Sequence, residues 1–147
     1  MAKNGVKHLA VILRSGHSDE RSQGVVKEIE ALGCQIDLLS ADVAIASDVD
    51  KAFQATTVPI AGIVQGAMVL RDRMFSSMHV SDYHGALACK VQGTWNLHNV
   101  AEKLGLKLDF FTMLSSISGV VGQKGQANYT AGNAFLDAFA SYRHGLG

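Results

Sequence analysis

The sequence has one proline, two cysteines, one tryptophan and no net charge, and these scarcities remove whole classes of protein. Thirteen basic residues cancel thirteen acidic ones, so no basic field draws the chain to nucleic acid or to an anionic membrane. Cys34 and Cys89 form no CxxC pair and have no histidines at zinc spacing. Reduced, ordinary cysteines in a cytoplasmic protein are expected, in place of a disulfide scaffold or a zinc site. His79 and His84 are poorly spaced to share a metal, and no metal site is expected. No apolar run approaches the ~18 residues of a membrane span, and residues 1–5 lead into a core strand and not a signal sequence. There is no glycine-rich GxGxxG turn, internal repeat, low-complexity tract or flexible linker.

What is present is a chain of 147 residues, 48% hydrophobic, long enough to bury one core and without sign of a second domain. Short apolar runs at residues 8–13, 35–40, 60–65 and 109–114 predict strands, with Pro59 resetting the chain before the third. Helical spacing appears over 19–32, with Ser18 as N-cap and Gly33 as stop, and over 47–55, begun by a serine cap. A broken helical region at 71–78 precedes a long helix at 81–104, with Val91, Trp95, Leu97, His98 and Ala101 on its buried face. Gly93, inside that helix, predicts a close approach by a neighbour. A last helix carries Tyr129. Strands alternating with helices mean βαβ units and right-handed crossovers, hence a doubly wound α/β fold with a mainly parallel sheet.

Chemistry is expected where the fourth strand ends, because open parallel sheets bind ligands beyond the carboxyl ends of their strands. Ser116 stands at that exit, and Tyr129 and Asn133 lie one helical turn apart on one face. A serine hydroxyl and a tyrosine phenol can together hold a carbonyl oxygen, and the phenol can release its proton as negative charge develops there. The same residues also fit a structural assignment, with Ser116 capping a turn, Tyr129 anchoring a helix and Asn133 bonding to backbone. Arg14, at the end of the first strand, sits where an arginine accommodates the 2′-phosphate of NADP, or where any strand end carries a surface charge. Lys90, on the long helix, reads equally as a solvated lysine.

The passage LSSISGVVGQKGQANYTAGNAFLDAFASYR resembles the active-site segment of polyketide synthase ketoreductase domains, within the short-chain dehydrogenase/reductase superfamily. It is most similar to the iterative, highly reducing fungal synthases. KHLAVILRSG, LLSADVA, PIAGIVQGAMVLRDRMF and CKVQGTWNLH resemble successive pieces of the same domain in the same order, so nearly the whole chain is covered. The resemblance implies NADPH-dependent reduction of a β-ketoacyl group on an acyl carrier protein, with the remaining domains of a synthase as partners. Tyr129 would give the proton, Ser116 would orient the carbonyl, and Lys90 and Asn133 would hold the cofactor ribose and a proton relay. A cation near the phenol favours its phenolate form. Lysine in KVxGxW and asparagine four residues after the tyrosine is the exchanged arrangement of these ketoreductases; in most of the superfamily the lysine follows the tyrosine. The resemblance places Arg14 and Ser15 on the 2′-phosphate, Asp42 and Val43 against the adenine, and Gln65, Gly66 and Ala67 beside the nicotinamide ribose, where Lys90 and Tyr129 also meet the cofactor. Met68 stands where the family usually has glycine.

The resemblance further equates residues 5–13 with the family's second strand, so an incomplete Rossmann-like sheet is expected, without its first strand and glycine-rich turn. It also implies a chain that stops before the next strand and the substrate-covering lid. In the strand order 3-2-1-4-5 the first strand is central. The pairs formed by 35–40 with 8–13 and by 60–65 with 109–114 would then lie apart, and self-association through exposed edges is expected. Two other readings stay open: a structural or interaction unit that binds no cofactor, and a free-standing reductase of a small ketone.

Overall fold

Four apolar runs form four strands, and these pair two by two. His8–Leu13 (β1) and Gln35–Ser40 (β2) run parallel, in register from His8 opposite Gln35 to Leu13 opposite Ser40. Gly62–Gln65 (β3) and Phe110–Met113 (β4) form a second parallel pair, with Gly62 opposite Phe110 and Gln65 opposite Met113. Parallel neighbours need a crossover, and helices supply it. In the computed structural model, which describes residues 1–146, these are α1 (Glu20–Ala31) between β1 and β2 and α3 (Val80–Lys103) between β3 and β4. α2 (Ala46–Gln54) joins the two pairs, and a short α4 (Ser118–Val121) and a long α5 (Ala127–His144) follow β4.

Among the described residues no backbone ladder joins β1 to β3. Side-chain packing joins them instead. Val49 and Phe53 of α2, Ile63 of β3 and Leu97, Val100 and Ala101 of α3 form one buried cluster, and Ile12 of β1, Val43 and Phe111 pack against it. Large apolar side chains contribute ~1.5–3 kcal/mol each when fully buried, so a cluster of this size can hold two separate ladders in one unit. A groove of about 1060 Å³ remains between the facing edges of β1 and β3. The separation of the two pairs is as expected from the family's strand order. None of the described helices is long and apolar enough to cross a membrane.

The element ends depart from the sequence reading in instructive ways. Asp19, not Ser18, caps α1: its carboxylate accepts from Ser22 N at 2.9 Å, and Gly33 at φ 72° ends the helix as expected. No serine caps α2. There Asp42 accepts from Ala44 N at 2.9 Å, forming a turn that leads straight into the helix, so Ser47 falls within the first turn behind the N-cap Ile45. β3 starts at Gly62 and not at 60, because Ile60 leaves the ladder to pack on the core. β4 is one residue shorter at each end, although Asp109 N still donates to Ala61 O and Leu114 N to Gln65 O. The region 71–78 holds a single 3-10 turn, Phe75–Ser77. Val91 and Trp95 are half-buried, whereas Leu97, His98 and Ala101 are buried as expected.

Candidate active site

The strand exit at Leu114–Ser116 is gripped from two helices. From α3, Lys90 Nζ donates to the Leu114 carbonyl at 3.1 Å; from α5, the Asn133 carbonyl accepts from Ser115 Oγ at 3.3 Å. Lys90 is only 3% exposed, which removes the solvated-lysine alternative. Its stem crosses Gly132 of α5, where a Cβ would come within 3.1 Å of Lys90 Cδ, so the lysine reaches the site because that helix position carries no side chain. Nζ lies 5.5 Å from the centre of the Tyr129 ring. Loss of hydration pushes the Lys90 ammonium below its ordinary pKa, and the attraction of Tyr129 and Cys89 partly opposes this.

Asn133 is fully buried one turn beyond Tyr129 and donates to the Tyr129 carbonyl at 2.8 Å. Its Oδ1 has no partner among the described residues. Such an orphan costs roughly 1–3 kcal/mol, so the site is built around a further hydrogen-bond donor at this point. Ser116 is half-buried, and its Oγ accepts from Ser118 N at 3.3 Å and from Ser118 Oγ at 3.0 Å. With both acceptor positions of the hydroxyl filled, its own proton is the group left to donate. Next to it Ile117, Val120 and Val121 are more than 70% exposed and give the site an apolar border. Lys90, Tyr129 and Asn133 therefore meet where β4 ends against α3 and α5, and Ser116 stands at the same strand exit, bonded to Ser118.

The other seven sequence-derived candidates line the groove between β1 and β3. Arg14 and Ser15 follow β1, Asp42 and Val43 follow β2, and Gln65, Gly66 and Ala67 end β3 and follow it. Arg14 is two-thirds exposed and 3.7 Å from the Asp42 carboxylate, a loose pair that leaves the guanidinium accessible to an anion. Gly93 carries the close approach expected of it: a Cβ there would meet Val43 Cγ2 at 2.9 Å and Gln65 Nε2 at 3.1 Å. Both groove segments are thus seated on α3. Gln65, however, turns inward. Its amide is buried, donating to the Cys89 carbonyl at 2.9 Å and accepting from Ala67 N at 2.9 Å, so this strand end presents Gly66 and Ala67 outward and not the glutamine side chain. The residues at the carboxyl ends of the strands suit a dinucleotide: an exposed guanidinium for phosphate, and small residues that let a ribose approach the backbone.

Two asparagines escaped the sequence reading. Asn96 holds the Val43 carbonyl at 2.9 Å, and Asn128, fully buried, bonds to the carbonyls of Arg71 and Asp82. Their signal was available, since asparagine is a poor helix former and a buried one inside a helix is there to bond something.

Comparison with known proteins agrees with this geometry. The family model described as KR domain matches residues 1–147. A highly reducing polyketide synthase of Eupenicillium brefeldianum is 58% identical over the whole chain, and another from Arthrinium phaeospermum is 57% identical over 99% of it; the chain spans 6% of each. Among solved structures, A-type ketoreductases from a modular polyketide synthase superpose with a TM-score of 0.91 at 26% identity, over 99% of this chain and 31% of theirs. A ketoreductase domain from the bacillaene assembly line gives 0.89 at 29% identity, over 99% of this chain and 36% of its own. The strand-end site, the Rossmann-like α/β arrangement and a family match over all 147 residues have one meaning: the chain belongs to the ketoreductase (KR) domain family of polyketide synthases.

Proposed function

We propose that this chain carries the reducing site of an NADPH-dependent ketoreductase that converts a β-ketoacyl group on an acyl carrier protein to the β-hydroxyacyl group, within a polyketide synthase whose other domains build the chain. NADPH, when bound, supplies a hydride to the ketone carbon. Ser116, its Oγ already accepting from Ser118, would keep its proton and donate a hydrogen bond to the ketone oxygen, and Tyr129 would transfer to that oxygen the one proton that completes the alcohol. Lys90 favours the phenolate that Tyr129 leaves behind, and Asn133 offers its unpartnered Oδ1 to the relay that reprotonates it. Arg14 faces the 2′-phosphate, with Ser15, Asp42 and Val43 around the adenosine and Gly66 and Ala67 beside the nicotinamide ribose. The apolar border of Ile117, Val120 and Val121 suits an acyl chain better than a small polar ketone.

One observation carries the reading. A lysine buried to 3% exposure, held by a single carbonyl and set 5.5 Å from a tyrosine ring, is a costly arrangement that packing alone does not call for. The test is Tyr129→Phe in the full-length protein, with a small β-ketoacyl thioester and NADPH. Turnover should fall ~10²–10⁴-fold while the NADPH dissociation constant holds. Near-wild-type turnover would remove Tyr129 from the chemistry. For the 147 residues taken alone, the open groove between β1 and β3 supports the second reading, a structural or interaction unit that binds no cofactor.

A further inference from the structure

Asn128 immediately precedes Tyr129 in the first turn of α5 and is 0% exposed. Its carboxamide is used at both ends. Nδ2 donates to the carbonyls of Arg71 at 2.9 Å and Asp82 at 3.1 Å, and Oδ1 accepts from Tyr129 N at 2.8 Å. First-turn amides have no carbonyl to meet in their own helix, so Asn128 answers one of those donors while tying down two other segments. These are the Arg71 loop and the first turn of α3, the helix that presents Lys90 about two turns further on. Shallower bonds surround the clamp: Gln126 Nε2 to Asp72 at 2.9 Å, Arg73 N to the Gly125 carbonyl at 2.8 Å, and Arg73 to the Asp82 carboxylate at 3.1 Å. Those are solvent-facing, and the Asn128 bonds are the buried centre of the group.

We infer that Asn128 is a positioning residue for ketone reduction: by locking the first turns of α5 and α3 and the Arg71 loop together, it sets the Tyr129 phenol against Lys90. Tyr129 and Lys90 come from different helices, so their separation is a property of how those helices dock. Further along, that docking rests on one polar contact at the far end of α5, Arg143 Nη1 to His98 Nδ1 at 2.6 Å, and on aromatic packing such as Trp95 on Phe139, with ring centres 4.8 Å apart, which tolerates small slides. Three directional bonds beside the reacting residue do not. The chemistry is specific to asparagine: two donors must face carbonyls and one acceptor must face an amide. Aspartate has the shape but sets oxygen against the Arg71 and Asp82 carbonyls; glutamine adds a methylene to a fully buried side chain and shifts its amide off those partners.

The inference rests on Tyr129 as proton donor, and the experiment keeps the two separable. Asn128→Ala, Asn128→Asp and Tyr129→Phe are made in the full-length protein and assayed with NADPH and a β-ketoacyl thioester, with turnover expressed per folded molecule. Asn128→Ala is expected to lower kcat ~10–100-fold, as an ångström-scale misplacement of a reacting group does, and to leave NADPH affinity within about twofold. The solvent deuterium isotope effect on kcat should rise, because transfer from a displaced phenol becomes slower than the other steps. Asn128→Asp should lose at least as much. If Asn128→Ala does not fold, Asn128→Ser, which restores one donor, takes its place with the same expected split. A variant less stable than wild type but with kcat per folded molecule within about threefold, and an unchanged isotope effect, would overturn the assignment and leave Asn128 purely structural. Full activity in Tyr129→Phe would instead sink the proposed chemistry, whatever Asn128 does.

Discussion

Lys90→Met separates function from stability in opposite directions. Methionine has nearly the length of the lysine stem and can follow the same path across Gly132, but it carries no charge. Two terms change sign against each other. The Leu114 carbonyl loses its 3.1 Å donor, which costs roughly 1–3 kcal/mol if the carbonyl stays dry. Against this, an ammonium only 3% exposed no longer has to be stripped of water, a penalty of several kcal/mol for an ion after relaxation. The balance should favour the variant by about 1–2 kcal/mol, or a few degrees in melting temperature. Turnover should fall ~10²–10⁴-fold, because Tyr129 loses the cation that favours its phenolate. The pH dependence checks the cause. Burial lowers the pKa of Lys90 in the folded state, so between the folded and ordinary lysine values the unfolded chain binds more protons and stability rises with pH. The advantage of Lys90→Met should therefore shrink as pH climbs toward the ordinary lysine value. Thermal unfolding of both proteins across alkaline pH, with ketone reduction measured beside it, decides the matter. A variant that is less stable and less active by matched amounts would show that Lys90 serves packing, and the reasoning from desolvation would fail.

Arg14→Ala should weaken NADPH binding at least tenfold and leave the weaker NADH binding nearly unchanged, since only NADPH offers a phosphate to the exposed guanidinium; equal loss for both cofactors in fluorescence titrations would assign Arg14 to the fold. His98 accepts from Arg143 Nη1 at 2.6 Å through Nδ1, and burial, with the nearby Arg143 charge, lowers its pKa. Stability should thus be lost as pH falls below the ordinary histidine value and through the folded one, and His98→Gln, which keeps an acceptor, should flatten that part of the unfolding profile. The isolated 147-residue chain should self-associate through the edges of β1 and β3 that face the groove. Sedimentation showing a stable monomer with micromolar NADPH affinity would contradict the account of the groove.

Much of this was legible from the order of residues alone. Apolar runs bounded by glycine or serine located four strands to within two residues, because a strand ends where the backbone turns, although an apolar run does not tell which face is covered: Leu13, Leu38, Val64 and Phe110 stay exposed. The four-residue spacing of Tyr129 and Asn133 put them on one helical face, and Gly93 announced a close approach without naming Val43 and Gln65 as the neighbours. Helix caps were less legible, since Ser18 and Asp19, or Ser47 and the Asp42 turn, compete locally and the winner depends on how the preceding loop is held.

What tertiary structure alone decided is which polar side chains face inward. In sequence Lys90 is one more helical lysine, and Gln65 is one more residue at a strand end. Asn128 is merely the neighbour of a tyrosine. Only the docking of α3 on α5 and on β3 removes their water, and a group without water must be answered by a partner from another element: Leu114 for Lys90, Cys89 for Gln65, Arg71 and Asp82 for Asn128. Local pattern chooses helix or strand because those bonds close within a few residues or along one ladder. The choice of partner for a buried polar group depends on residues from about 20 to nearly 60 positions away, and it exists only once the chain has packed.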